Sequence, residues 1–177
     1  MSSLAPILLG SMLLASQGMA AAAVKSPWRK ETVKGLFSAS VPADWTTKEF
    51  IYVQEPGRAF TDGLSRISAE LHGEKTSRYP SVPEFLKQME NLGGALKKTG
   101  TVKVASRTCP RFQRRREMRR NEEGRDFWEY HYEEYALVRA ARGFWVLKFS
   151  HAGPMYEPKP DGLPAWERFL ATFRPLA

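Results

Sequence analysis

The chain has 177 residues, 42% hydrophobic and 12% aromatic, with a formal charge of +8 from 27 Lys+Arg and 19 Asp+Glu. That length and apolar content fit one domain with a real core, at most a small second one, and exclude wholesale disorder. A single cysteine excludes an internal disulfide framework and a Cys-based zinc cluster, and the basic excess points to anionic partners.

Leu4 to Ala23 carry no charge and run from Leu4, Ile7, Leu8 and Leu9 into the small-residue tract Ala20–Ala23. A short apolar core followed by Ala-x-Ala is a secretory signal pattern, with cleavage between Ala20 and Val24, and the core is short for a membrane span. No cysteine near that point invites lipid attachment, and no twin-Arg pair indicates folded export. The expected organisation is a signal peptide over 1–23, a basic N-terminal arm over 24–34 and one domain over 35–177. The expected location is periplasmic or secreted. Cys109, beside Pro110, reads as a small buried residue, with a reactive thiol or an intermolecular disulfide as the alternative.

Residues 25–34 are polar and basic and read as a loose arm. Leu36 to Val41 reads as a strand that Pro42-Ala43-Asp44 ends. Phe50 to Val53 is a second strand candidate. From Arg66 to Leu71, Ile67, Ala69 and Leu71 alternate with Arg66, Ser68 and Glu70, the period of a half-buried strand. Ser81 and Glu84 have capping-box spacing, and Val82, Phe85, Leu86, Met89, Leu92 and Leu96 follow at helical spacing. Gly93-Gly94 threatens the end of that helix. Val102 to Ser106 predicts a short strand. Phe112 to Arg120, Phe127 to Val138 and Phe144 to His151 predict three long ones, joined by Gly-containing turns at 121–126 and 139–143. Leu163, Trp166, Phe169, Leu170 and Phe173 predict a final helix, with Pro164 in its first turn and Pro175 beyond its end. Together these elements predict an α+β domain: a central antiparallel sheet flanked by helices, in a helix–sheet–helix sandwich.

Arginine is concentrated at 107–120, and the adjoining acids nearly cancel it: residues 107–134 hold eight arginines and seven acids. If a hairpin sets Asn121 opposite Phe127, Arg119 faces Glu129, Glu117 faces His131 and Arg115 faces Glu133. The same register sets Arg116 opposite Tyr132 as a cation–π pair. Cross-strand opposite charges contribute about 0.2–1 kcal/mol each and help fix register. The cluster Arg115, Glu117, Arg119, Glu129, His131 and Glu133 is therefore the candidate polar site. It reads chiefly as a salt-laddered, solvated sheet face, with an anion-binding face as the functional alternative. Phe127, Trp128, Tyr130, Tyr132 and Tyr135 are suited to base stacking in principle, but strand aromatics are more often core and cross-strand packing, an exported protein seldom meets nucleic acid, and none is expected.

Glu129-x-His131-x-Glu133 lies on one strand face. Same-face neighbours sit roughly 6.5–7 Å apart along a strand, so three in a row converge poorly on one ion. No Gly-x-Ser-x-Gly, His-Glu-x-x-His or phosphate-loop pattern occurs. No catalytic, cofactor or metal residue is assigned. The rival functions are a hydrolase using His131 or His151 as base, and a metal-binding envelope protein.

The stretches Leu36-Phe37-Ser38-Ala39-Ser40-Val41-Pro42-Ala43-Asp44-Trp45, Gly143 to Ala152 and Trp166 to Arg174 resemble the PsbP-like family of small exported domains. A Val-Pro-x-x-Trp phrase, an aromatic strand after a Gly turn and a terminal helix ending in Phe-Arg carry the likeness, over about residues 35–175. The resemblance implies a non-catalytic binding or assembly module with a central antiparallel sheet between helices, and no cofactor is expected. Its expected partner is an envelope protein or an anionic surface, with no transmembrane span in the mature chain.

Overall fold

The structure, a computed structural model, describes residues 27–49, 55–73, 77–154 and 160–176. The signal-like segment, residues 24–26 of the basic arm and the Phe50–Val53 strand candidate lie outside them.

Two antiparallel sheets form the framework. The smaller has the order β1-β2-β10, from β1 (Trp28–Val33), β2 (Phe37–Pro42) and β10 (Arg174–Pro175). The larger has seven strands: β3 (Thr46–Lys48), β4 (Gly57–Thr61), β5 (Ser65–His72), β6 (Lys97–Val104), β7 (Arg107–Glu122), β8 (Arg125–Arg139) and β9 (Phe144–Gly153). Its order is β3-β4-β5-β9-β8-β7-β6. Helices α1 (Val82–Asn91) and α2 (Leu163–Thr172) complete the secondary structure of the described residues.

This overturns the expected α+β sandwich. Strand accounts for 58% of the described residues and helix for 15%, so the protein is mostly β, with two short helices lying on a β framework. The cause lies in polar strands that carry no apolar period. Lys97 to Gly100, at the outer edge of the large sheet, is exposed throughout, and β1, expected as part of a loose arm, pairs along its whole length with β2. An edge strand is held by backbone ladder bonds and needs few apolar side chains, so composition alone reads it as loop.

Alternation along the central strands divides the large sheet into two buried faces. On one, Ile67, Ala69, Leu147 and Phe149 pack with β2 and α2. Phe37, Phe60, Phe149, Trp166, Phe169 and Phe173 are fully buried there. Each contributes about 1.5–3 kcal/mol from burial. On the other face Phe85 and Met89 of α1 pack with Tyr79, Tyr135, Phe144 and Val146. The Ser81 hydroxyl accepts from the Glu84 amide at 3.4 Å and caps α1. The helix ends at Asn91, short of Leu96. Gly93 follows at φ +126, and a Cβ there would meet Arg116 Cδ at 3.0 Å.

The β7–β8 hairpin corrects the expected register by one residue. Its turn is the two-residue pair Glu123-Gly124, at φ +52 and +79, closed by Glu122 opposite Arg125. Two positive φ values match the twist of the flanking strands, which a longer flat turn does not. Asn121 therefore pairs with Asp126, Arg116 with His131, Arg115 with Tyr132 and Arg114 with Glu133. A one-residue slip exchanges faces along the strand.

Candidate functional site

The slip splits the six-residue cluster. Glu129, His131 and Glu133 lie on the α1 face, opposite Met118, Arg116 and Arg114, whereas Arg115, Glu117 and Arg119 lie on the α2 face, opposite Tyr132, Tyr130 and Trp128. The cation–π contact forms from Arg115, whose guanidinium carbon is 5.8 Å from the Tyr132 ring centre. Arg119 pairs with Asp126, and Arg120 donates to Glu129 at 2.9 Å. Glu129 also meets His131 Nε2 at 2.7 Å. The Arg120 bond is the largest influence on the Glu129 carboxyl and holds it below its usual range. Among the described residues no group of three or more His, Cys, Asp and Glu is placed to hold a metal ion.

Glu133 forms the centre of a denser arrangement. Its side chain is 1% exposed. Arg114 Nε donates to Oε2 at 2.7 Å, and Arg114 Nη2 lies 2.6 Å from the same oxygen. Tyr135 donates its hydroxyl to Oε2 at 3.0 Å. Oε1 takes Arg116 Nη2 at 3.0 Å and Lys148 Nζ at 2.9 Å. Three cations thus share one carboxylate. Burial by itself would raise the Glu133 pKa, but Lys148, Arg114 and Arg116 outweigh it and hold the group at about 2. Burial pushes the Tyr135 phenol well above its ordinary range, so it stays a proton donor in its hydrogen bond.

The elements explain the convergence. Arg114 and Arg116 alternate on β7, Glu133 and Tyr135 on β8, and Val146 and Lys148 on β9, all facing α1. No basic residue occupies the last turn of α1. Arg114 and Arg116 come from β7 to its C-terminal carbonyls instead, donating to Met89 O at 2.8 Å and Leu92 O at 3.4 Å. Cations there also suit the negative end of the helix dipole. A cavity of about 320 Å³ opens beside the group. Arg78, Arg114, Arg116 and Lys148 line it against only Glu70 and Glu133. Phe85, Met89, Leu92 and Val146 supply its apolar wall.

A larger groove, about 630 Å³, lies along the hairpin and is lined by Gly93, Arg115, Arg116, Glu117, Met118 and Tyr130. None of these residues is buried. The smaller cavity is the stronger site because it combines buried charge with an apolar wall.

Ser65 Oγ and His151 Nδ1 are 2.9 Å apart on the α2 face. Ser65 is 2% exposed and His151 6%, and Gly162 lies so close that a Cβ there would meet Ser65 Oγ at 2.5 Å. A nucleophile covered in this way is not presented to a substrate. His131 contacts Glu129, and His72 is enclosed against Tyr79 and Phe144. Cys109 is a free thiol, buried, and burial raises its pKa.

The sequence singles out Glu133, the arginine run and, as one of the interleaved aromatics, Tyr135, but not Lys148 or Arg78. A signal for Lys148 was present: it is the polar residue following Phe144 and Val146 on one face of an apolar strand.

No helix among the described residues is long and apolar enough to cross a membrane. No family model matches the chain, and no curated protein matches it. Among solved structures it is similar to a Bacteroides thetaiotaomicron protein at 18% identity and a TM-score of 0.42, over 78% of this chain and 44% of that one. The chain spans under half the length of that protein, and a likeness at this level identifies no shared activity.

Proposed function

We propose that this protein is an exported, non-catalytic binding domain that takes an anionic ligand in the pocket beside Glu133. One observation carries the reading: four cations and two carboxylates line a cavity of about 320 Å³, with three of the cations already converging on one buried carboxylate. Such excess positive charge in a partly desolvated site favours an anion. Glu133 is held ionised and Tyr135 protonated, so the group presents fixed charge and lacks a proton poised for transfer near neutral pH. The export half of the proposal rests on the uncharged Leu4–Ala23 segment and on the resemblance to PsbP-like domains.

The test uses protein purified from the native envelope, with a mature N-terminus expected between Ala20 and Val24. Inorganic phosphate, titrated at constant ionic strength against chloride, is expected to raise Tm saturably. The rise shrinks in Arg78→Ala, at the exposed rim, and disappears in Lys148→Met. A response equal to that of chloride, or unchanged in both variants, overturns the anion site, and recovery only from the cytoplasm overturns export.

A further inference from the structure

The pocket has two unlike ends. Arg78, Arg116 and Lys148 form the polar end, and the Arg116 and Lys148 side chains are 23% and 31% exposed, so both retain access to the cavity. Phe85, Met89 and Leu92 enter from one side of α1, and Val146 lies on the sheet beneath. Inorganic phosphate would satisfy the cations and leave Leu92, the exposed member of that wall, in water. A site that joins placed charges to apolar side chains is the usual form of a small-molecule pocket, and in this one the charged and polar side chains outnumber the apolar four.

We infer that the pocket takes a soluble amphiphilic anion: an oxyanion headgroup, phosphate monoester or carboxylate, on a short apolar body. This rests on the anion-binding reading above and adds the ligand class to it. The headgroup lies between Lys148 Nζ and the Arg116 and Arg78 guanidiniums, and the body lies along Leu92 and Val146. At about 30 Å³ for a water-sized group, a cavity of about 320 Å³ admits roughly ten such groups. That volume suits a short chain or a single ring lying along the wall.

The experiment compares inorganic phosphate, hexyl phosphate and 1-hexanol by calorimetric titration of the folded protein. Each methylene withdrawn from water strengthens binding about fourfold. Hexyl phosphate is therefore expected to bind at least about tenfold more tightly than phosphate, and hexanol far more weakly than hexyl phosphate. Leu92 is 49% exposed, so Leu92→Ser spares the core. That variant is expected to lose most of the gain from the alkyl chain while keeping phosphate affinity. Equal affinity for phosphate and hexyl phosphate overturns the inference and leaves the anion site standing. Hexanol binding as tightly as hexyl phosphate also overturns it. Capture on phosphatidic acid vesicles without binding of hexyl phosphate in solution overturns it in favour of a membrane surface. If neither phosphate nor hexyl phosphate binds, the underlying anion reading falls with it.

Discussion

Glu133 and Glu134 are consecutive on β8, and both are buried, yet they sit in opposite worlds. Glu134 faces α2. It takes hydrogen bonds from Arg111, from the Tyr132 hydroxyl and from Trp166 Nε1, the last at 2.9 Å, inside an aromatic core. Its cation, Arg111, is also held by Glu167 at 2.6 Å, so acids outnumber cations in that cluster. Glu133 faces α1 beside a cavity, and there cations outnumber acids. The first arrangement is structural, with the neutral donors Tyr132 and Trp166 joining Arg111 on the carboxylate. The second leaves positive charge facing open space. Buried ion pairs by themselves are weak evidence of function, and the imbalance together with the cavity distinguishes the two.

The largest effect that separates the faces is expected from Trp166→Ala. Trp166 is fully buried and satisfies Glu134, so the variant loses about 3–5 kcal/mol of stability in urea unfolding. A loss below about 1 kcal/mol would break the view that the Glu134 arrangement is structural.

Glu133→Gln comes next, at about 1–3 kcal/mol, since Arg114 remains buried but Arg116 and Lys148 can turn toward water. The same group sets an acid transition. Its folded pKa, about 2, lies below the ordinary value of 4.5, so its contribution is complete above pH 4.5 and is lost as pH falls toward 2. Chemical unfolding across that window should show a fall in stability that Glu133→Gln flattens. An unaltered acid profile in the variant would mean that other carboxylates carry it.

The smallest effect is expected on the hairpin ribbon. Arg120→Ala breaks an ion pair whose side chains are 48% and 25% exposed and should cost only about 0.2–1 kcal/mol by urea titration. A cost near that of Glu133→Gln would show that the ribbon is as tightly coupled as the pocket.

Much of the scaffold is legible in residues. Ser81 and Glu84 predict the start of α1, and alternation predicts β5 and the three long strands β7, β8 and β9. The edge strands are not legible, because Arg29 to Thr32 and Lys97 to Gly100 gain their order from backbone pairing. The hairpin shows a different limit. Alternation specifies that Glu129, His131 and Glu133 share a face, but it does not specify which arginines join them. That depends on the turn, where positive φ at Glu123 sets the pairing one residue away from the expected register.

The sequence by itself determined that the arginine run is nearly neutralised by its own hairpin. It also determined that no familiar catalytic motif is present. Only the tertiary structure decided that the protein is mostly β, that Arg114 rather than Arg115 meets Glu133, and that Lys148 and Arg78 arrive from distant strands and loops at the same cavity. The physical reason is range. Period and charge are local properties that survive in the linear order, whereas phase between strands and convergence of side chains depend on turn geometry and on packing between residues far apart in the chain.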